Sequence, residues 1–152
     1  MTEVYIINES PFELPAYATI SSAGVDLKAF LDHPIDLKPL ERKIIATGIK
    51  LALPEGYEAQ IRPRSGLAAK HGISILNSPG TIDSDYRGEI GVILVNLSNQ
   101  VFTINRGDRI AQLVLTKYEK INWKIIKELP ETNRGIGGFG SLSLIHISEP
   151  TR

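Results

Sequence analysis

The sequence predicts an all-β domain, a sandwich, jelly roll or barrel, and three observations carry that prediction. Its apolar runs are short and rich in β-branched residues, lengths that suit strands better than helices. Thirteen glycines and nine prolines punctuate the chain between these runs at close spacing. Only residues 65–71 have a helical pattern, and a short one. Many brief strands joined by turns point to a closed or double-layered β architecture.

In chain order, strands are expected at residues 4–7, 35–37, 44–47, 49–53, 57–61, 73–76, 89–96, 101–104, 109–117 and 123–126. Leu53-Pro54-Glu55-Gly56, Ser98-Asn99 and Asn105-Arg106-Gly107-Asp108 supply turn chemistry between them. The first 25 residues carry Pro11, Pro15, Ser21 and Ser22 and read as one strand followed by a long loop. Strand signals fade after Leu129, and Arg134-Gly135-Ile136-Gly137-Gly138-Phe139-Gly140-Ser141 reads as a glycine-rich arm, mobile unless a ligand or partner holds it. The expected organisation is a β core over 1–128, a flexible C-terminal arm over 129–141 and a tail over 142–152. No internal repeat is visible.

Composition narrows the class. A chain of 152 residues with 42% apolar content is long enough for one well-packed domain. Seventeen basic residues balance seventeen acidic ones, so nothing draws the whole molecule to nucleic acid or to a membrane surface, and a polyanion site must be local. Cysteine is absent, which excludes disulfides and thiolate chemistry. No apolar stretch is long enough to span a bilayer, and Met1-Thr2-Glu3-Val4-Tyr5 lacks the layout of a signal peptide. The expectation is a soluble cytoplasmic protein with no membrane partner and no direct nucleic-acid binding.

Five segments at predicted loops or strand ends carry chemical groups, where function concentrates. In Ala23-Gly24-Val25-Asp26-Leu27-Lys28-Ala29 an acid sits between apolar residues, either buried on a strand or capping a turn. In Arg62-Pro63-Arg64-Ser65-Gly66-Leu67-Ala68, Ser65 is placed to N-cap a helical turn, and the same layout suits an anion site with exposed backbone N–H groups. Gly80-Thr81-Ile82-Asp83-Ser84-Asp85-Tyr86-Arg87-Gly88-Glu89 is either a charged hairpin or a place where acids hold a metal or activate a water. Gln112, within Gly107-Asp108-Arg109-Ile110-Ala111-Gln112-Leu113, is a polar residue in an apolar strand that needs a partner if buried. The glycine-rich arm offers Arg134 for phosphate and Phe139 as a stacking face. Together these are the parts of an enzyme that cleaves a nucleoside triphosphate. There is no Gly-x-x-x-x-Gly-Lys-[Ser/Thr] loop and no His/Cys zinc layout, and His33, His71 and His146 are isolated.

In order and spacing, the five segments resemble the five motifs of the trimeric dUTP pyrophosphatase (dUTPase) family, over about residues 1–141. Pro63-Arg64-Ser65-Gly66-Leu67-Ala68, Gly80 to Glu89 and Arg134 to Ser141 carry the resemblance most specifically. It implies a jelly-roll-like β-sandwich or barrel, a dUTPase-like β-clip, with one short helix and a C-terminal arm. It implies hydrolysis of dUTP to dUMP and pyrophosphate, which keeps uracil out of DNA and supplies dUMP for dTMP synthesis. A homotrimer is implied, with active sites shared between subunits and Mg²⁺ held mainly by substrate phosphates and water, no residue being a direct ligand. Carried over residue by residue, Asp83 is the base that deprotonates the attacking water, and Asp26 orders the metal–water shell. Arg64, Ser65, Gly66 and Gln112 contact the phosphates, and Asn77 with its strand backbone reads uracil. Tyr86 packs under the deoxyribose, Arg134 reaches the γ-phosphate and Phe139 stacks on the base. Asp85 and Arg87 are expected to shape the loop or a subunit contact, and Glu89 to start the strand.

The roles make physical sense: water is a poor nucleophile and needs a fixed base, and cations and N–H groups stabilise charge on the departing pyrophosphate. The chain departs from the family after Ser141, where Thr-Gly is usual. Leu142 to Arg152 has no counterpart there and reads as non-native read-through. Two other functions compete: a dCTP deaminase or bifunctional deaminase–dUTPase of the same architecture, and a nucleotide-binding signalling protein without turnover. The complete Gly-Thr-Ile-Asp-Ser-Asp-Tyr-Arg-Gly segment and the full arm favour plain dUTPase.

Overall fold

The structure is a computed structural model that describes residues 1–140; Ser141 and the tail over 142–152 lie outside the described residues. Ten strands and one helix follow in order: β1 (Tyr5–Asn8), β2 (Val25–Lys28), β3 (Ile35–Leu37), β4 (Arg42–Ala52), β5 (Tyr57–Arg62), α1 (Ser65–His71), β6 (Ile73–Ile75), β7 (Gly80–Ile82), β8 (Glu89–Asn96), β9 (Phe102–Ile104) and β10 (Arg109–Lys117). They form two antiparallel four-stranded sheets, β1-β4-β8-β6 and β2-β10-β5-β7, and a small β3-β9 pair. The all-β prediction with one short helix holds.

Alternation places the core. On β5, Ala59 and Ile61 are buried while Gln60 and Arg62 are not, the period of two that lets one sheet face pack and the other meet solvent. Leu27, Ala59, Ile61 and Ala111 from one sheet meet Ile45, Ile73, Ile90 and Leu94 from the other in a single cluster, which Leu37 and Ile104 of the small pair join.

Two expected strands, 44–47 and 49–53, are one. β4 runs through a bulge where its register on β8 shifts between Ala46 and Lys50. Gly48 takes φ +72 there, and a Cβ at that position would lie 2.9 Å from the Ser10 backbone nitrogen. The bulge's polar groups are met by side chains. The Gly48 N–H donates to Glu89 Oε2 at 2.9 Å, and the Thr47 hydroxyl donates to the Ile90 carbonyl at 2.7 Å. Glu89 therefore starts β8, as expected, and also secures the neighbouring strand.

β2 and β7 form where the sequence predicts no strand. β2 reads Val-Asp-Leu-Lys, its apolar residues interrupted by charges, and β7 reads Gly-Thr-Ile and opens on glycine, so neither offers an apolar run. Conversely, residues 123–126 are not a strand. Ile121, Trp123 and Ile125 are exposed, and no strand pairs with them among the described residues, which a ladder requires. The compact unit ends at Glu119 and a second unit begins at Lys120, nine residues ahead of the expected arm at 129. Among the described residues, no helix is long and apolar enough to cross a membrane.

Asn96 locks the top of β8. It is fully buried, and Nδ2 donates to the carbonyls of Leu37 at 2.8 Å and Gln100 at 2.7 Å. Its Oδ1 accepts from the Ser98 N–H at 2.9 Å and the Ser98 hydroxyl at 2.7 Å. Replacing it by alanine removes four hydrogen bonds, one of them to the buried Leu37 carbonyl, so Asn96→Ala should cost about 2–4 kcal/mol in urea unfolding. A loss below about 0.5 kcal/mol would show that the network does not hold β3 to β8.

Candidate active site

Three strands of the second sheet set the site. Pairing puts Asp26 of β2 opposite Gln112 of β10, and Gln112 opposite Arg62 of β5. The neighbours Leu27, Ala111 and Ile61 point into the core, so Asp26, Gln112 and Arg62 share the outer face. Adjacent strands are about 4.8 Å apart, making this a polar row about 10 Å wide.

β5 ends at Arg62, and Pro63 turns the chain off the sheet. Arg64 follows with extended backbone, and its Nε donates to Asp26 Oδ1 at 3.1 Å. Arg109 Nη1 stands 3.9 Å from the other carboxylate oxygen. One carboxylate thus faces two arginines, Arg64 Nη1 also reaches the Arg109 carbonyl at 3.5 Å, and the donors left over are available to an anion. Gln112 Nε2 reaches toward the Pro63 carbonyl at 3.5 Å.

The expectation that Ser65 caps the helix is corrected. The N-cap residue is Arg64, no side chain caps α1, and Ser65 is its first residue. Pro63 and the Arg64–Asp26 pair fix the helix start instead, and the exposed Ser65 hydroxyl has no hydrogen-bond partner among the described residues. At Gly66 the space around a Cβ would be open, so the backbone there is accessible.

These groups border a cavity of about 430 Å³ that includes Asp26, Arg62, Arg64, Ser65, Gly66 and Gln112. Its opposite wall is the loop from Ala16 to Gly24. A second depression of about 580 Å³ continues past Arg62 and Ser65 to Ser78 and Pro79. Such volumes suit a small organic ligand. Gly24 keeps the first cavity open: a Cβ there would lie 3.1 Å from Gln112 Oε1 and 3.4 Å from the Leu113 carbonyl oxygen.

Asn77, Asp83 and Tyr86 line neither cavity. They belong to the loops on either side of β7 and are exposed. The turn is well built. The Tyr86 N–H donates to the Asp83 carbonyl at 3.1 Å, and the Tyr86 hydroxyl donates to the Glu89 carbonyl at 2.9 Å. Arg87 Nη1 donates to the carbonyls of Ser84 at 2.7 Å and Tyr86 at 3.1 Å, which gives it a loop-shaping role. The Tyr86 hydroxyl lies over Gly88, 2.4 Å from where a Cβ would stand. The Asp83 carboxylate has no hydrogen bond or ion pair among the described residues and faces solvent.

Register separates this loop from the arginines. Gly80 pairs with Ile61 and Ile82 with Ala59, so β7 runs away from Arg62. Asp83, one residue beyond Ile82, would stand level with Glu58, four residues back along β5 from Arg62. At about 3.3 Å per residue, that is about 13 Å.

Arg134 and Phe139 belong to the second unit. Arg134 Nε donates to the Gly137 carbonyl at 2.6 Å, and the Gly137 N–H returns a bond to the Arg134 carbonyl at 3.2 Å. Gly135, Phe139 and Gly140 take positive φ, a conformation that glycine adopts without strain. Both Arg134 and Phe139 side chains are exposed. His33 and His71 stand apart from these groups, His71 with its ring 5.1 Å from that of Phe102; His146 lies outside the described residues.

Among the described residues, no group of three or more His, Cys, Asp or Glu could hold a metal ion. The one carboxylate bordering the cavity among the described residues is that of Asp26, a hard oxygen group suited to the water shell of Mg²⁺ when phosphates and water supply its ligands.

Against this geometry, comparison with known proteins agrees from three directions. The dUTPase family model matches residues 10–142. A deoxyuridine 5'-triphosphate nucleotidohydrolase of Finegoldia magna is 58% identical over 138 residues, 91% of this chain and 96% of the relative. Among solved structures, the Staphylococcus bacteriophage 80alpha dUTPase with dUpNHpp superposes with a TM-score of 0.82 at 25% identity, covering 93% of this chain and 98% of that one. A mutant dUTPase from phage phi11 of S. aureus, whose structure reveals the coordination of a structural Mg(II) ion, shares the fold with a TM-score of 0.73 at 23% identity, over 85% and 99% of the two chains.

The Asp26–Arg64 pair is testable without any ligand. In a double-mutant cycle of Asp26→Asn and Arg64→Gln, urea unfolding should give a coupling of about 1 kcal/mol. Additivity within about 0.3 kcal/mol would mean that the pair does not hold Arg64 in place.

Proposed function

The chain belongs to the dUTPase family, and from that premise we propose that it is the dUTP diphosphatase its sequence suggests, cleaving dUTP to dUMP and pyrophosphate. The observation that carries the reading is the Asp26–Gln112–Arg62 row beside Arg64 and Ser65, a cationic cavity wall of triphosphate size on a rigid sheet.

Arg64, Ser65, Gly66 and Gln112 bind the phosphates, with the unpartnered Ser65 hydroxyl donating near the bridge that breaks. Asp26 aims Arg64 and borders the water shell of Mg²⁺. When bound through the phosphates, Mg²⁺ spreads the triphosphate charge and makes phosphorus more electrophilic. Asp83 takes a proton from water as the water oxygen bonds to the α-phosphorus. The bond from that phosphorus to the α,β-bridging oxygen breaks, and its electron pair leaves with pyrophosphate, whose charge the arginines stabilise. Asn77 and the neighbouring backbone read uracil. Tyr86, held by its own hydroxyl bond to Glu89, packs under the deoxyribose and leaves no room for a 2′-hydroxyl. Arg134 and Phe139 close the arm over the γ-phosphate and base, excluding water.

The base must lie within one water of the reacting phosphorus, yet strand register carries Asp83 about 13 Å along the sheet from Arg62. This favours a site completed by a second copy of the chain, in the homotrimer the family resemblance implies. A reaction on the free nucleotide pool fits the cytoplasm.

Pyrophosphate release should be measured with Mg²⁺ from dUTP, dTTP, dCTP and UTP, for the wild type and for Asp83→Asn. Release from dUTP alone is expected, with kcat lowered about 10³-fold in the variant while a non-hydrolysable dUTP analogue still binds. Ammonia release from dCTP would identify a deaminase instead, and dUTP binding without turnover would favour a signalling protein. Near-normal turnover by Asp83→Asn would remove Asp83 from the role of base.

A further inference from the structure

Arg62 occupies one end of the polar row, but no step above gives its own side chain a contact. It lines both depressions, together with Ser65 and Gln112. Its guanidinium is oriented by a neutral group: Gln60 Oε1 accepts from Nε at 3.2 Å and from Nη2 at 2.8 Å. Gln60 and Arg62 are two apart on β5 and so share the outer face.

A guanidinium has five N–H donors in a fixed fork. Gln60 uses the Nε–H and one Nη2–H, which leaves the Nη1 hydrogens and the second Nη2 hydrogen. Those at the end of the fork are the pair that grips two oxygens of one phosphate. Charge points the same way. Arg64 and Arg109 face the Asp26 carboxylate, whereas no carboxylate lies within ion-pair distance of Arg62 among the described residues. An acid at position 60 would orient the fork equally well but would cancel its charge; the glutamine orients it and leaves the charge intact. An idle solvated arginine would need no such tether.

We propose that Arg62 is an additional phosphate-binding arginine of this site, directed at the pyrophosphate portion of the substrate, with Gln60 as its positioning residue. The proposal rests on the dUTP reading above. It makes Arg62 a source of binding for the triphosphate in the ground state more than of stabilisation in the transition state. Its loss therefore raises KM while leaving kcat nearly intact. Both contacts sit at an exposed rim, so the contribution is sensitive to salt.

The test compares the wild type with Arg62→Gln and Gln60→Leu, each checked for an unchanged thermal melt. Calorimetry with Mg²⁺ measures binding of the imido analogue of dUTP and of dUMP at low and high salt, beside kcat and KM for dUTP. Arg62→Gln should weaken analogue binding about tenfold and leave dUMP binding within about twofold. KM should rise with kcat within about threefold, and analogue binding should lose part of its salt dependence. Gln60→Leu should show a smaller loss of the same kind. If the wild type hydrolyses dUTP but Arg62→Gln binds the analogue as tightly as the wild type, or loses dUMP and the analogue equally, the proposal falls and the enzyme reading stands. A wild type that neither binds the analogue nor cleaves dUTP would sink the reading itself.

Discussion

The position of one carboxylate governs the cationic face of the second sheet. Asp26 lies in register with Gln112 and Arg62 and accepts a hydrogen bond from Arg64, the residue that leads into α1. That contact spans 38 residues of sequence and fixes both an arginine side chain and the point where a helix starts. The core beneath keeps it there. Leu27, Ala111 and Ile61 are buried behind Asp26, Gln112 and Arg62, and a slip of one residue in any of the three strands would turn the polar row inward. Hydrophobic burial thus sets the register, and the register places the charges.

The loop that carries Asp83 depends on different contacts. Glu89 satisfies the β4 bulge, Tyr86 is tied to the Glu89 carbonyl, and Arg87 closes on Ser84 and Tyr86. None of these engages Asp26, Arg64 or Gln112. Two constellations, one cationic on the second sheet and one bearing an exposed carboxylate on the loop that leads from β7 of that sheet to β8 of the other, are therefore built from separate contacts. Phosphoryl transfer needs both around one phosphorus, and the proposed assembly of several copies reconciles the geometry with the chemistry.

Much of this was legible in the sequence. The long β-branched runs at 89–96 and 109–117 became β8 and β10, and the helical stretch at 65–71 became α1. β2 and β7 were hidden because charges interrupt the apolar residues of the one and a glycine opens the other. Ser65 had the right chemistry for a cap, but Pro63 and the Arg64–Asp26 pair decide the start of α1, a tertiary effect that local spacing does not contain. The same holds for Glu89, whose partner Gly48 is 41 residues away, and for Gly24, whose need for a bare backbone comes from Gln112 on another strand. Arg62 went unselected because what sets it apart is having no carboxylate partner among the described residues, and only the fold reveals that. Conversely, the uracil-reading role of Asn77 and the choice of Asp83 as the base came from family resemblance, whereas the acids of Gly80 to Glu89 as water activators and Phe139 as a stacking face could be read from their own segments.

In the proposed assembly, Asp83 of one copy serves the Arg64 wall of another. Mixing two inactive variants tests it most directly. Asp83→Asn and Arg64→Ala subunits, unfolded together and refolded as mixed assemblies, should recover dUTP hydrolysis that neither has alone, because some sites would then combine an intact Asp83 with an intact Arg64. Mixed assemblies that form but stay as inactive as their parents would contradict the account and place both residues in the site of a single chain.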